Sequence, residues 1–461
     1  MTKTLQAYPL RARSEAIAIP SSRFHRMARL GTMAFGIAGN VSYQAMRQIG
    51  QERRRPVREL LMAPDNVHRL ADELARMRGA AMKVGQLVSM DSGDVLPKEL
   101  SDIMARLRSD AHFMPPKQLK QVLNRGWGNH WLKHFQRFDV QPIAAASIGQ
   151  VHRAWLRDGR EVAVKVQYPG VAQSIDSDVA NVGGLVRLTG LFPSNFDLRP
   201  YMDEARRQLR EETDYLRESR ELLRWRKRLA DDPFFEIPEV LEDWTTRDIL
   251  TMSYTEGAAI ETTEHLPQTE RDAIATRLIE LMLRELFVFG EVQSDPNFAN
   301  YRYNHETGRI ILLDFGATRH IEARIASLYR DIVVAGFRGD RAALVQALTQ
   351  LGILSSDILP SHHDQILSMI ETVFTVLRSS SDYDFGDPSL SRRMQSESIA
   401  LAEDGFLPPP IPMDVLYLQR KFGGISLLAS RLRARVPIRD LIERYTDYRR
   451  VEATTSASPS R

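Results

Sequence analysis

Cysteine is absent from the 461 residues. Disulfides, thiolate metal sites and cysteine nucleophiles are excluded with it, and a reducing compartment is compatible with the composition. No run of eighteen or more apolar residues occurs, so no conventional spanning helix is predicted. An excess of one charge is missing too: 62 basic against 59 acidic residues leave a formal +3, which gives no argument for nucleic acid as a partner. Positions 1–25 hold a single acid, Glu15, among arginines and serines. That bias fits a transit peptide and fits a floppy tail equally.

What is present is an ordinary globular composition, 43% hydrophobic and 26% charged, in a chain long enough for two or three lobes. Leu30 to Met46 mixes apolar residues with Gly31, Gly36 and Gly39 between basic flanks at Arg26, Arg29 and Arg47. It is short and carries Asn40 and Gln44, which predicts a packed or surface-lying helix rather than a span. The arginines at 53–55 and at 431, 433 and 435 read as solvated faces, with anionic lipid as the alternative contact.

Helical periodicity runs from Asn66 to Met90 and contains Lys83-Val84-Gly85-Gln86. Lys83 and Gln86 share a face, and the glycine between them weakens the helix by about 1 kcal/mol relative to alanine, which marks either close packing or a ligand. After Pro97, helices are expected over Glu99 to Arg108 and Pro116 to Leu123, and strands over Phe138 to Val140 and Glu161 to Val166. Between those strands lies Ala144-Ala145-Ala146-Ser147-Ile148-Gly149-Gln150-Val151. It has the spacing of a nucleotide-covering loop in which only the last glycine, Gly149, is kept, and alanine in place of the others stiffens it. Lys165 follows at the end of an apolar strand, where its ammonium must reach a phosphate, an acid or solvent.

One long charged helix is expected over Tyr201 to Leu229, after an irregular stretch near Thr189 to Pro200. It carries Glu212, Asp214 and Glu218; Glu218 is a candidate partner for Lys165, while Glu212 and Asp214 face Lys83 or a metal. The plain alternative is a solvated charged surface. Tyr254 to Gly257, with Glu256, reads as a hinge, and an apolar helix follows over Glu270 to Phe289. From Ala323 to Tyr448 the pattern is nearly all helical, broken by loops at Ser379 to Ser391 and Pro408 to Pro412.

The chemistry concentrates between Gln293 and Arg319. Asp295 precedes Asn300 by five residues, and after a turn and the strand Ile310 to Leu313 comes Asp314-Phe315-Gly316. Phosphoryl transfer needs divalent metal held on phosphates by hard oxygens, which Asn300 and Asp314 supply, and a carboxylate that orients the nucleophile, which is the place of Asp295.

In this order the motifs resemble the UbiB/AarF family of atypical kinase-like proteins, most closely the ADCK-type, Coq-associated branch, over roughly residues 25 to 450. The resemblance rests on 77–86, the alanine-rich loop, Val166 to Val171, the Glu212/Asp214/Glu218 cluster, Gln293 to Asn297 and Leu313 to Arg319. It implies an α+β, bilobal protein-kinase-like fold with an N-terminal helical KxGQ extension and a largely helical C-lobe. The division expected is a flexible or membrane-associating segment (1–50), the extension (51–134), the N-lobe (135–257), the C-lobe (258–450) and a tail (451–461).

In site terms the resemblance makes Lys83 and Gln86 the occluding pair, with Glu212 and Asp214 regulatory beside them. Asp295 is the catalytic aspartate, Lys165 and Glu218 the phosphate-anchoring ion pair, and Asn300 and Asp314 the metal ligands. Ala144, Ala145, Ala146, Ser147, Ile148, Gly149, Val151, Lys165 and Glu256 line the nucleotide. The cofactors implied are ATP and Mg2+. The implied function is an ATPase supporting ubiquinone biosynthesis at a membrane, with membrane lipids or quinone precursors and other ubiquinone-biosynthesis proteins as partners and a homodimer as an open alternative. The expected location is cytoplasmic and membrane-associated, at the bacterial inner membrane or, in a eukaryote, the mitochondrial one. A protein or small-molecule kinase and a nucleotide-gated scaffold are the alternatives. Gln293 stands where ordinary kinases have histidine, and no Ala-Pro-Glu segment follows Thr318, which weighs against a protein substrate.

Overall fold

The computed structural model describes residues 74, 77–91, 113–188, 197–406, 409 and 411–446. The expected tails, the 30–46 segment, the linker near 51–56, most of 66–76, Pro97 and the 99–108 helix lie outside the described residues. The chain divides into two compact units, one drawing on Met1–Ser92, Leu96–Arg220 and Glu239–Tyr254, the other on Glu221–Pro238 and Thr255–Arg461.

In the first unit, helix α1 (Arg78–Asp91) precedes α2 (Pro116–Trp127), which starts on a proline whose missing N–H is no loss at a helix N-terminus. The strands are β1 (Phe135–Phe138), β2 (Ala144–Ala145), β3 (Gly149–Leu156), β4 (Glu161–Gln167) and β5 (Ile249–Ser253), all antiparallel, in the order β1-β3-β4-β5 with β2 added on β3. β1 begins three residues earlier than the strand expected at 138–140. Strand alternation turns Val162, Val164 and Val166 of β4 to one face, where they pack with Leu119, Val122 and Leu123 of α2 and with Trp131, Phe135 and Ile249. Lys165 therefore faces the other way.

Inside this sheet a chain of hydrogen bonds sets the tautomer of buried His152. Gln150 accepts from the Met114 N–H at 2.8 Å and donates from Nε2 to His152 Nε2 at 2.8 Å. His152 Nδ1 must then carry the proton, which it donates to the Asp139 carbonyl at 2.8 Å. Burial lowers the His152 pKa to about 4 against that favourable carbonyl bond.

Three further helices follow: α3 (Val171–Leu188), α4 (Arg199–Glu212) and α5 (Tyr215–Arg228), of which α5 belongs to the second unit from Glu221 on. α1, α3 and α4 pack on one another, and Val84, Leu87, Val179, Val182, Ala205 and Leu209 on them are buried. α3 has no counterpart in the sequence expectations.

In the second unit the short strand Phe235–Glu236 runs parallel to β9 (Arg309–Leu312), which pairs antiparallel with β8 (Tyr301–Asn304); β8 in turn pairs with β6 (Ala258–Ala259). β7 (Glu291–Gln293) pairs with β10 (Thr318–His320). Helix α6 (Gln268–Arg284) buries Ile274, Leu278, Ile279, Leu281 and Leu283 in its second half, together with Glu280, and it runs on as a π-helical turn, Glu285–Phe289, closed by Gly290 at φ 63°. Helices α7 (Ala323–Arg338), α8 (Arg341–Leu351), α9 (Pro360–Ser379), α10 (Ser389–Glu403), α11 (Met413–Arg431) and α12 (Ile438–Thr446) make the rest. The loop expected at 379–391 also holds a strand, β11 (Tyr383–Asp384), paired with β12 (Arg435–Val436). Among the described residues no helix is long and apolar enough to cross a membrane.

Candidate functional site

Within the first unit, Lys165 Nζ donates to both carboxylate oxygens of Glu218, at 2.7 and 2.9 Å. The side chains are 15% and 4% exposed, and the ammonium also lies 5.0 Å from the centroid of the Tyr215 ring. Glu218 reaches this position because the single helix expected over 201–229 is in fact two. α4 stops at Glu212, Thr213 leaves the helical conformation, and Asp214 caps α5, its Oδ1 accepting the Arg217 N–H at 3.0 Å. The break is held by Gln167, two residues beyond Lys165 on the same face of β4, whose amide donates to the carbonyls of Thr213 at 2.9 Å and Arg247 at 3.2 Å. One strand thus supplies both the lysine and the bracket that starts the helix carrying its partner.

The break also separates the two acids left open as partners of Lys83. Glu212, at the end of α4, takes the ion pair with Lys83, which is buried, and accepts from Ser147 Oγ at 2.9 Å. Asp214 is occupied as the cap.

The alanine-rich loop is a hairpin, with Ala144 opposite Val151, Ala145 opposite Gln150, and the Ala146 N–H donating to the Gly149 carbonyl at 2.8 Å. Its tip is covered by α1: a Cβ on Gly79 would lie 3.0 Å from the Ile148 methyl group, and Ile148 is buried. Gly149 is needed for close approach, because a Cβ there would collide with the Val166 carbonyl oxygen of the next strand. Gln86, half-buried, lies on the same helix as Lys83. Glu256 is exposed, in the irregular stretch between β5 and β6 of the second unit.

Within the second unit the β8–β9 hairpin brings Asn300 beside Asp314. Its register pairs Tyr301 with Leu312, and one step further the Leu313 N–H donates to the Asn300 carbonyl at 3.0 Å. The Asn300 amide donates to the Asp295 carbonyl at 3.2 Å, which leaves its side-chain oxygen for another role; Asp314 accepts the Gly316 N–H at 2.8 Å through Oδ1. Among the described residues no cluster of three or more His, Asp or Glu could hold a metal. One carboxylate and one amide oxygen, with phosphate oxygens and water completing the shell, fit magnesium, which keeps several waters and is seldom caged by protein alone.

Asp295 is held from three sides. Its N–H donates to Gln293 Oε1 at 3.1 Å, Asn300 Nδ2 lies 3.5 Å from its Oδ2, and Arg420 of α11 donates to Oδ1 at 2.6 Å. Phe315 of the Asp-Phe-Gly turn stacks on Trp225 at 5.2 Å. Next to Arg420, Lys421 is buried against Glu285 at 3.0 Å and Tyr301 at 3.4 Å. Burial pushes the Glu285 carboxyl and the Tyr301 hydroxyl up. Burial pulls the Lys421 ammonium down, and Glu285 and Tyr301 outweigh it, so the lysine ends above its ordinary value.

Sequence reasoning missed Arg420, Lys421, Glu285 and Gln167, and it placed Ser147 on the nucleotide without foreseeing its bond to Glu212. The adjacent basic pair at 420–421 within an apolar helical pattern was the one signal in the sequence; the others look like ordinary surface polar residues until the chain is folded.

Comparison with known proteins places these elements in context. Residues 106–348 match the ABC1 atypical kinase-like domain. The chain is 35% identical over 435 residues to the atypical kinase COQ8, mitochondrial, of Saccharomyces cerevisiae, covering 94% of this chain and 86% of that protein. It is 36% identical over 438 residues to the atypical kinase coq-8, mitochondrial, of Caenorhabditis elegans, where it spans 92% of itself but 57% of the longer worm protein. Among solved structures, Rv3197 from Mycobacterium tuberculosis, determined with erythromycin, superposes with a TM-score of 0.59 at 24% identity, covering 84% of this chain and 96% of that one. At that identity the likeness is one of fold.

Proposed function

Because the chain belongs to the ABC1 atypical kinase-like family, we propose that it binds ATP with Mg2+ and turns the nucleotide over as an accessory ATPase of ubiquinone biosynthesis, working on a membrane where prenylated precursors reside. The observation that carries the nucleotide reading is the Lys165–Glu218 pair, a half-buried lysine held ready by a buried carboxylate. Such a pair fixes a cation for phosphate oxygens and has no structural need of its own at the end of an apolar strand. Magnesium, when bound, would neutralise charge on the phosphates; Asn300 and Asp314 would hold it, and Asp295 would orient the nucleophile.

Water as acceptor is favoured by the shortness of the chain after the Asp-Phe-Gly turn. β10 begins at Thr318 and α7 at Ala323, which leaves little room for a loop on which a protein substrate could dock. Quinone precursors, other biosynthetic proteins and a membrane location are carried over from the family resemblance of the motifs; the relatives' names speak of mitochondrial atypical kinases. Transfer to a protein or small molecule is the second reading, supported by the same family name.

The test is ATP hydrolysis by wild type and Asp314→Asn, with and without anionic liposomes and a phenolic mimic of the quinone head. We expect Mg-ATP to raise the wild-type Tm, hydrolysis to rise with liposomes and phenol, and both effects to vanish in the variant. Equal hydrolysis by both proteins would sink the proposal.

A further inference from the structure

α11 lies beyond the family match at 106–348, yet it meets the loop that holds Asp295 at two points one helical turn apart. Arg420 Nη2 donates to Asp295 Oδ1 at 2.6 Å, with the two side chains 17% and 19% exposed. Gly424, four residues on and so on the same face, abuts Pro296, where a Cβ would collide with the proline ring. Lys421, between them, is anchored on Glu285 inside the same unit and fixes the rotation of the helix. The glycine sets the distance and the arginine uses it.

Asp295 therefore has one oxygen committed to a guanidinium and the other, Oδ2, 3.5 Å from the Asn300 amide. We propose that Arg420 is a positioning residue for phosphoryl transfer: it locks the carboxylate of Asp295 in one rotamer, so that Oδ2 alone is presented to the nucleophile. A guanidinium suits this task because its planar fork fixes direction as well as charge, which a lysine ammonium does not. The inference rests on the nucleotide-turnover reading above and deepens it, assigning to the C-terminal helix a part in the geometry of the reaction.

Three variants test it, with Arg431→Gln, on the same helix and in an exposed ion pair with Glu264, as the control for folding. Arg420→Gln is expected to lower kcat about 10- to 100-fold, the scale of a misplaced catalytic group, with the Kd for Mg-ADP close to wild type. Arg420→Lys should recover part of kcat. Gly424→Ala, which spares the arginine and changes its distance, should lower kcat in the same direction. Unchanged kcat in Arg420→Gln overturns the inference, and so does a parallel fall of Tm and ADP affinity, which would mark a merely structural residue.

A second measurement does not depend on turnover: Tm values of Arg420→Gln, Asp295→Asn and the double variant. Clear non-additivity supports the pairing and additivity overturns it. If wild type shows no hydrolysis at all, the function reading fails, and the inference stands or falls on this cycle.

Discussion

His152 shows how far a single residue can be argued. In the sequence it is one more polar position in a strand; folded, it is buried, with both ring nitrogens satisfied only in the neutral form. Protonation would set Nε2–H against the Gln150 amide, donor to donor. With an unfolded value of 6.5 and a folded value of about 4, the unfolded chain binds the extra proton first. The contribution of His152 is thus fully present above pH 6.5 and is lost as pH falls towards 4. Each pH unit in that window removes about 1.4 kcal/mol, for a total near 3 kcal/mol at pH 4. Urea unfolding at pH 7.5, 6 and 5 should show wild-type stability falling faster than that of His152→Gln, whose side chain does not titrate. Parallel pH curves for the two would refute this. A histidine in an alternating strand announces nothing about its tautomer, because the partners Met114 and Asp139 come from outside the strand.

At the scale of elements, the sequence was most readable where a local rule decides and least where a distant partner does. Strand β4 followed from alternation, and the β8–β9 hairpin from the turn before an apolar run, so the approach of Asn300 to Asp314 was legible in advance. The break between α4 and α5 was not. Thr213 and Asp214 sit inside a continuous charged helical pattern, and what stops the helix there is Gln167, more than forty residues earlier in the chain. Glu218 was read as a candidate partner of Lys165 from the spacing of the motifs, and the ion pair forms in the fold, but the break that brings α5 to β4 was not part of that reading. Gly149 divides along the same line. Read as a remnant of a phosphate-covering loop, it would be kept for backbone freedom, whereas the structure keeps it for space against the Val166 carbonyl. The two readings predict different outcomes for Gly149→Ala. A freedom role would leave stability intact and change nucleotide affinity alone; a space role forces β3 off β4 and costs about 1–3 kcal/mol of stability. Denaturant unfolding of the nucleotide-free variant should show the loss, and an unchanged midpoint would return the glycine to the loop reading.

For the whole molecule the question is where the functional unit ends. The family match stops at 348, after the metal-binding turn and the helices that follow it, which would make the second unit complete there. The charges argue otherwise. Glu285, 1% exposed, has its cation in Lys421, and Glu280, itself buried, accepts from Arg444 and Tyr445 as well as from Arg277. Helix α6, buried along its second half, packs on α11, α12 and β12, every one of them beyond 348. A chain ended after Leu351 would keep Glu285 in its apolar setting with no ammonium beside it. Stranding one member of a buried pair costs about 3–5 kcal/mol, which is comparable with the whole stability of many domains, and the uncovered face of α6 adds to it. We therefore expect residues 1–351 to lack a cooperative urea transition for the second unit, and limited proteolysis to cut within α6 at protease levels that leave the full chain intact. Glu285→Leu paired with Lys421→Met in the full-length protein should unfold cooperatively, because an apolar pair replaces the ionic one without exposing α6. If the 1–351 chain unfolds as sharply and as late as the full chain, the C-terminal helices are an appendage, and the contacts of α11 with the Asp295 loop would have to be explained without any share in holding that unit together.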